Sequence, residues 1–133
     1  MALSILKPLT EYKVETIIEV DKLAGEKRLQ YITSSPGQEV TYTAKLQDAL
    51  AYKAAGYPED VTPYHWIDAE ATATSNTPTD VTNFILYTAA IWEDKGSKIE
   101  GARQAAKIGV NTATSIADIR TIMSSYTATL LSI

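Results

Sequence analysis

The stretch from Thr77 to about Ala113 keeps one helical period from end to end, and this constrains the fold more than any other feature. Val81, Phe84, Ile85, Thr88, Ile91, Trp92, Ile99, Ala102, Ala106 and Val110 recur at threes and fours, the spacing that stripes one face of a helix. Its start is marked by Thr77 as N-cap, Pro78 at the first helical position and Asp80 at the third, where a carboxylate can reach back to the cap. At ~1.5 Å per residue such a helix is roughly 50 Å long. One short neighbour cannot cover that length, so shorter helices are expected to pack along it, with Trp92 in the core. Gly96, Gly101 and Gly109 argue against continuity, each costing about 1 kcal/mol relative to Ala in a helix interior. A break near Lys95-Gly96-Ser97 is the alternative.

The rest of the chain reads as shorter helices between clear stops. Residues 1 to 9 form an apolar arm with Leu3, Ile5, Leu6 and Leu9, closed by Pro8. The arm is expected either to fold back on its own bundle or to clasp a neighbouring subunit. Thr10 can cap a second long helix to about Thr33, with Val14, Ile17, Ile18, Ala24, Tyr31 and Ile32 as its apolar face. A β-hairpin over residues 14 to 33 competes, since β-branched residues favour strands. Adjacent Ile17 and Ile18 break the alternation that a half-buried strand needs, so helix is preferred.

Ser35-Pro36-Gly37-Gln38 has the form of a capping box for a helix over about 36 to 55, with Tyr42, Leu46, Ala49, Leu50 and Lys53 on one face. Gly56 and Pro58 end it. Thr62-Pro63 repeats the cap and opens a short helix, about 63 to 73, that offers Trp66, Ile67 and Ala71 for burial. Ser115 to Asp118 is a further capping box, and Ile116, Ile119, Ile122, Met123, Tyr126 and Leu130 follow it at helical spacing.

A search for chemistry returns little. The chain of 133 residues has no cysteine, which excludes disulfides, thiolate metal sites and a cysteine nucleophile. His65 is the single histidine, so neither a Ser-His-Asp triad nor a multi-histidine metal site fits within one chain, and packing is the simpler role for it. The acidic pairs Glu59-Asp60, Glu93-Asp94 and Asp68 with Glu70 lack supporting ligands. No glycine motif cradles a phosphate. Arg103 and Lys107 are expected to pair with Glu100 or to solvate a face. A net charge of −4 disfavours nucleic acid, which wants a basic face. No apolar run approaches the ~20 residues of a membrane span. The empty search argues against an enzyme, and no cofactor or metal is expected.

One segment is familiar. Lys27-Arg28-Leu29-Gln30-Tyr31-Ile32-Thr33, then Pro36-Gly37-Gln38-Glu39, then Tyr42, Lys45 and Ala49, resembles the pattern R-x-x-[YF]-I-T-x-x-P-G-Q-E-x-x-Y-x-x-K-x-x-E-A of small helical virion proteins of tailed bacteriophages, associated with tails, tail fibres or baseplates. Asp48 stands where that pattern has Glu. Trp92, Ile99 and Arg103 resemble its W-x6-I-x3-R, and Thr112 to Asp118 its Thr-rich turn before a final helix. The resemblance covers about residues 20 to 125 and implies a virion setting rather than a reaction.

The expected fold is an all-α, single-domain bundle of about five helices, framed by long helices at about 10–33 and 78–112, with residues 1–9 as an arm and 10–133 as the domain. The expected function is a non-enzymatic structural or adaptor part of a phage particle, with an assembly chaperone that leaves it as the first alternative and a small-ligand binder or enzyme using His65 and the neighbouring acids as the second. Partners would be other virion proteins or further copies in a homo-oligomer. Leu3, Ile5, Leu6, Tyr64, Trp66 and Tyr126 are the interface candidates, since binding energy concentrates in a few buried aromatic and apolar anchors.

Overall fold

The computed structural model describes residues 7–32 and 37–133. The architecture is all-α, with five helices: α1 (Leu9–Arg28), α2 (Gln38–Ala54), α3 (His65–Thr74), α4 (Pro78–Thr112) and α5 (Ile116–Ser132). No strand occurs among the described residues, so α1 replaces the hairpin alternative. The α4 helix runs unbroken through Gly96 with the expected bounds. Its first turn is capped by Thr77, whose hydroxyl accepts from the Asp80 N–H at 3.1 Å.

Other helix starts differ from the sequence reading. Pro8 rather than Thr10 precedes α1, its carbonyl accepting from the Tyr12 N–H at 3.0 Å, and no side chain caps that end. That helix stops at Arg28, not Thr33. The Gln30 and Tyr31 N–H groups bond three residues back, to Lys27 and Arg28, and tighten the chain out of the α-helix. Ser35 and Pro36 lie outside the described residues. Gly37 takes the N-cap place of α2 with φ +78°, a left-handed conformation that favours glycine. Gly56, also left-handed, follows the end of α2 as expected. At α5 the expected device is present: Ser115 Oγ accepts from the Asp118 N–H at 3.1 Å, and the Asp118 carboxylate accepts from the Thr114 N–H and hydroxyl.

The chain divides into two compact units. The first takes the chain up to Ile32 and again from Asp94 to Ile133, so it contains α1, α5 and the C-terminal part of α4. Its core has two clusters. In one, Val20, Ala24, Ile99, Ala106, Tyr126 and Leu130 are buried together. In the other, Val110, Ala113 and Ile119 are buried, with Leu9, Tyr12 and Ile17 packed against them. Gly109 lies in this unit where α4 meets α5, and a Cβ there would sit 3.2 Å from Ile122. Its absence of a side chain lets the two helices approach.

The second unit ends at Glu93 and contains α2, α3 and the N-terminal part of α4. Ala49, Ile67, Ala71, Val81 and Ile85 form its core, flanked by Val61, Tyr64 and Leu86. The sequence reading goes astray here. On α2, Ala49 and Tyr52 are buried while Leu50 and Lys53 face out. On α4, Val81, Thr82 and Ile85 turn inward, Trp92 is only half-buried, and Phe84 and Ile91 lie on the surface. The apolar residues of this segment span a wider arc than two short helices cover, so part of the stripe is left outside.

The helical glycines separate two effects. At Gly101 nothing lies within 4 Å of an added Cβ, so Gly101→Ala should stabilise by up to about 1 kcal/mol and raise the melting temperature. Gly109→Ala should give less than that, or a loss, because Ile122 must move. Thermal melts followed by circular dichroism compare the two variants directly.

Candidate interaction surfaces

Several of the polar side chains suggested by the sequence are engaged in holding helices together. Asp48, on α2, points its carboxylate at the start of α3, and Oδ2 accepts from the N–H groups of Trp66 (2.9 Å) and Ile67 (3.0 Å). These are orphan donors of a first helical turn, and a negative charge there also suits the helix dipole. Thr62 does not cap α3. Its N–H and hydroxyl go to Asp60 Oδ1 instead, which draws the Asp60 carboxyl below its ordinary range, and Tyr64 precedes α3 without a side-chain bond. Lys45, one turn before Asp48, forms an ion pair with Glu70 of α3. Two residues of α2 thus fasten it to α3.

Three tyrosines close the same unit. Tyr52 meets Tyr57 edge-on at 5.7 Å between ring centres and Tyr64 at 5.0 Å. Its hydroxyl donates to the Pro58 carbonyl at 2.8 Å, and the Tyr57 hydroxyl donates to Asn83 Oδ1 at 2.9 Å.

In the other unit a charge network joins α1 to α4. Glu100 accepts from Arg103 Nε and Nη2 at 3.0 and 3.1 Å, from Arg28 at 2.8 Å and from Gln104 at 2.9 Å. Arg103 also reaches Asp21 at 2.7 Å, and Lys107 approaches the same carboxylate at 3.4 Å. The Arg103 hydrogen bonds, helped by Gln104, hold the Glu100 carboxyl down at about 2. Asp21 is lowered too, chiefly by Arg103. Every charge in this cluster faces an opposite one, so its chemistry is structural. Tyr126 lies close by, 4% exposed, with its hydroxyl donating to the Val20 carbonyl at 2.8 Å.

The interface candidates therefore separate. Leu3, Ile5 and Leu6 lie outside the described residues. Trp66 stands on the outer side of α3 with 44% of its surface exposed, and Tyr64 is half-buried beside Tyr52. Tyr126 is buried within its own unit. The sequence reading missed Phe84 and Tyr87, each 67% exposed on α4, and Val14 and Ile18 on α1. Phe84 was hidden in the assumed core stripe, and nothing local distinguishes its face from that of Ile85.

His65 is exposed at the first position of α3. Glu70 and Asp94 of the acidic pairs are bound to lysines. Among the described residues no group of three or more His, Cys, Asp or Glu side chains is placed to hold a metal ion. No described helix is long and apolar enough to cross a membrane. The depression lined by Glu39, Val40, Thr43, Ala44 and Gln47 is an open strip along α2. Comparison with known protein families, characterised proteins and solved structures finds no match for this chain.

Acid should probe the charge network. Glu100 falls from an ordinary 4.5 to about 2 on folding, so its contribution to stability is fully present above pH 4.5 and is lost as the pH drops toward 2. Melting temperatures between pH 6 and pH 2 should decline in wild type and decline less steeply in Glu100→Gln. Separately, Asp48→Ala should cost about 0.5–2 kcal/mol, the usual loss for a helix cap. Chemical denaturation measures it.

Proposed function

We propose that this chain is a non-enzymatic structural or adaptor component of a phage particle, positioned at the tail, the baseplate or a fibre attachment, and that it works through protein–protein packing. The setting is supported by the resemblance of residues 27 to 49, with Trp92, Ile99 and Arg103, to small phage virion proteins. The observation that carries the packing mode is the outward placement of large apolar side chains: Trp66, Phe84 and Tyr87 are exposed, and at the α2–α3 junction beside Trp66 the charged groups are occupied in holding helices. Contiguous exposed apolar groups mark surfaces that bind other proteins, and Phe84 and Tyr87 lie within one turn of each other on α4. The net charge of −4 agrees with protein rather than nucleic-acid partners.

The test is a mass-spectrometric inventory of purified particles from infected cells. The chain should be present at a fixed stoichiometry to the other tail proteins. Finding it in infected cells but never in finished particles would replace this reading with an assembly chaperone. A small molecule that raises the melting temperature markedly would replace both readings with a ligand-binding protein.

A further inference from the structure

Charge is divided unevenly between the two units. From residue 54 to residue 94 the chain carries seven acids and no lysine or arginine. The second unit, residues 33 to 93, holds eight acidic and two basic residues, a net −6. The first holds eight acidic and ten basic residues, a net +2. One of the two cations of the second unit, Lys45, is already taken up by Glu70. The same unit exposes the rings of Phe84 and Tyr87.

Negative charge and uncovered aromatic rings meet on one strip of α4. Asp80, Phe84, Tyr87 and Ile91 follow one another at four, three and four residues, so they stand in one row, about 17 Å long at ~1.5 Å per residue. Asp80 is exposed, and its carboxylate makes no hydrogen bond or ion pair with a described residue. A second acidic edge is fixed beside the row. The Tyr57 hydroxyl donates to Asn83 Oδ1, next to Phe84 and one turn before Tyr87, and the Tyr52 hydroxyl donates to the Pro58 carbonyl. Tyr57 has φ +55°, a backbone conformation that a non-glycine residue keeps only where its surroundings hold it. The loop is thereby pinned to α4, and Glu59 and Asp60 stand exposed on it.

We infer that this row takes a basic amphipathic segment of a partner protein, its apolar side chains on Phe84, Tyr87 and Ile91 and its lysines or arginines beside Asp80 and the Glu59–Asp60 loop. Charge complementarity selects the occupant. An acidic segment would meet repulsion from both edges and find no cation to offset it. A cation reaching for Asp80 passes over the Phe84 ring, whose face attracts it further. The length of the row matches about three turns of a partner helix. The inference rests on the reading that the chain works by protein–protein packing, and gives the chemistry of one partner.

Two synthetic helices serve as probes: one with leucines along one face and lysines on its flanks, and the same helix with glutamates for the lysines. Each is titrated into the full, isotope-labelled chain, and amide chemical shifts are followed. The lysine helix should bind, with its shifts centred on residues 80 to 91, and the glutamate helix should not. Raising the ionic strength from about 0.05 to about 0.5 M should weaken the binding at least fivefold. Phe84→Ala and Tyr87→Ala should each weaken it at least fivefold, and Asp80→Asn at least threefold, with circular dichroism unchanged. Glu39→Gln and Val40→Ala, exposed on α2 of the same acidic unit, should leave it alone. Shifts centred elsewhere, equal binding of both helices, or binding untouched by the Phe84 and Tyr87 variants overturns the inference. So does self-association of the chain alone that moves the same amides, which would give the row to a second copy. None of these results concerns whether the chain is found in particles, so the two readings fail separately.

Discussion

A single helix of 35 residues presents more apolar length than any of its short neighbours can cover, and the rest of the architecture answers that constraint. Part of α4, up to Glu93, finds cover from α2 and α3; the part from Asp94 onward finds it from α1 and α5. Each unit builds its own core mostly from small and medium side chains, with one buried tyrosine apiece, Tyr126 and Tyr52. Ala24, Ala49, Ala71 and Ala106 are all buried, and Gly109 removes even a Cβ where α5 comes close. Tight spacing of this kind trades side-chain bulk for many short contacts.

Polar groups supply what small cores lack in bulk. The Asp48 carboxylate and the Lys45–Glu70 pair join α2 to α3, while the Arg28, Glu100, Arg103 and Asp21 group joins α1 to α4. Exposed ion pairs taken singly contribute little. Here one carboxylate is shared among several donors, so a side chain already ordered by one bond loses less freedom in making the next. The Tyr126 hydroxyl differs in kind. It is buried, and its bond to the Val20 carbonyl, an extra donor on a carbonyl inside α1, ties α5 to α1 across 106 positions of sequence.

What the sequence revealed and what it hid follow from range. The bounds of α4 and the cap of α5 were legible because Thr77, Pro78, Ser115 and Asp118 act within one turn of themselves. The end of α2 at Gly56 was legible for the same reason. The cap of α3 was not, since its donors are satisfied from Asp48, eighteen positions earlier on another helix. Thr62-Pro63 has the local form of a cap, but α3 begins only at His65, out of its reach, and the Thr62 hydroxyl donates to Asp60 instead. The outward turn of Phe84 escaped periodicity because the apolar arc of that segment is broad, and only the placement of α2 and α3 decides which part is covered. Tyr126, chosen as an interface anchor, is buried in its own unit instead, because its hydroxyl meets a carbonyl 106 positions away. No local signal betrayed either.

The division of the chain also bears on the order in which it can fold. The second unit is one continuous stretch, so every contact it needs is available once Glu93 has been made. The first unit is discontinuous, and α1 waits through synthesis until the C-terminal part of α4, and then α5, emerges. Joining those distant segments carries the entropy of closing a long loop. If the intervening unit is already compact, less free chain remains to be closed. Early structure in α2 and α3 therefore shortens the search by which the N- and C-terminal helices find each other, and slow steps in refolding should belong to that late pairing rather than to the middle of the chain.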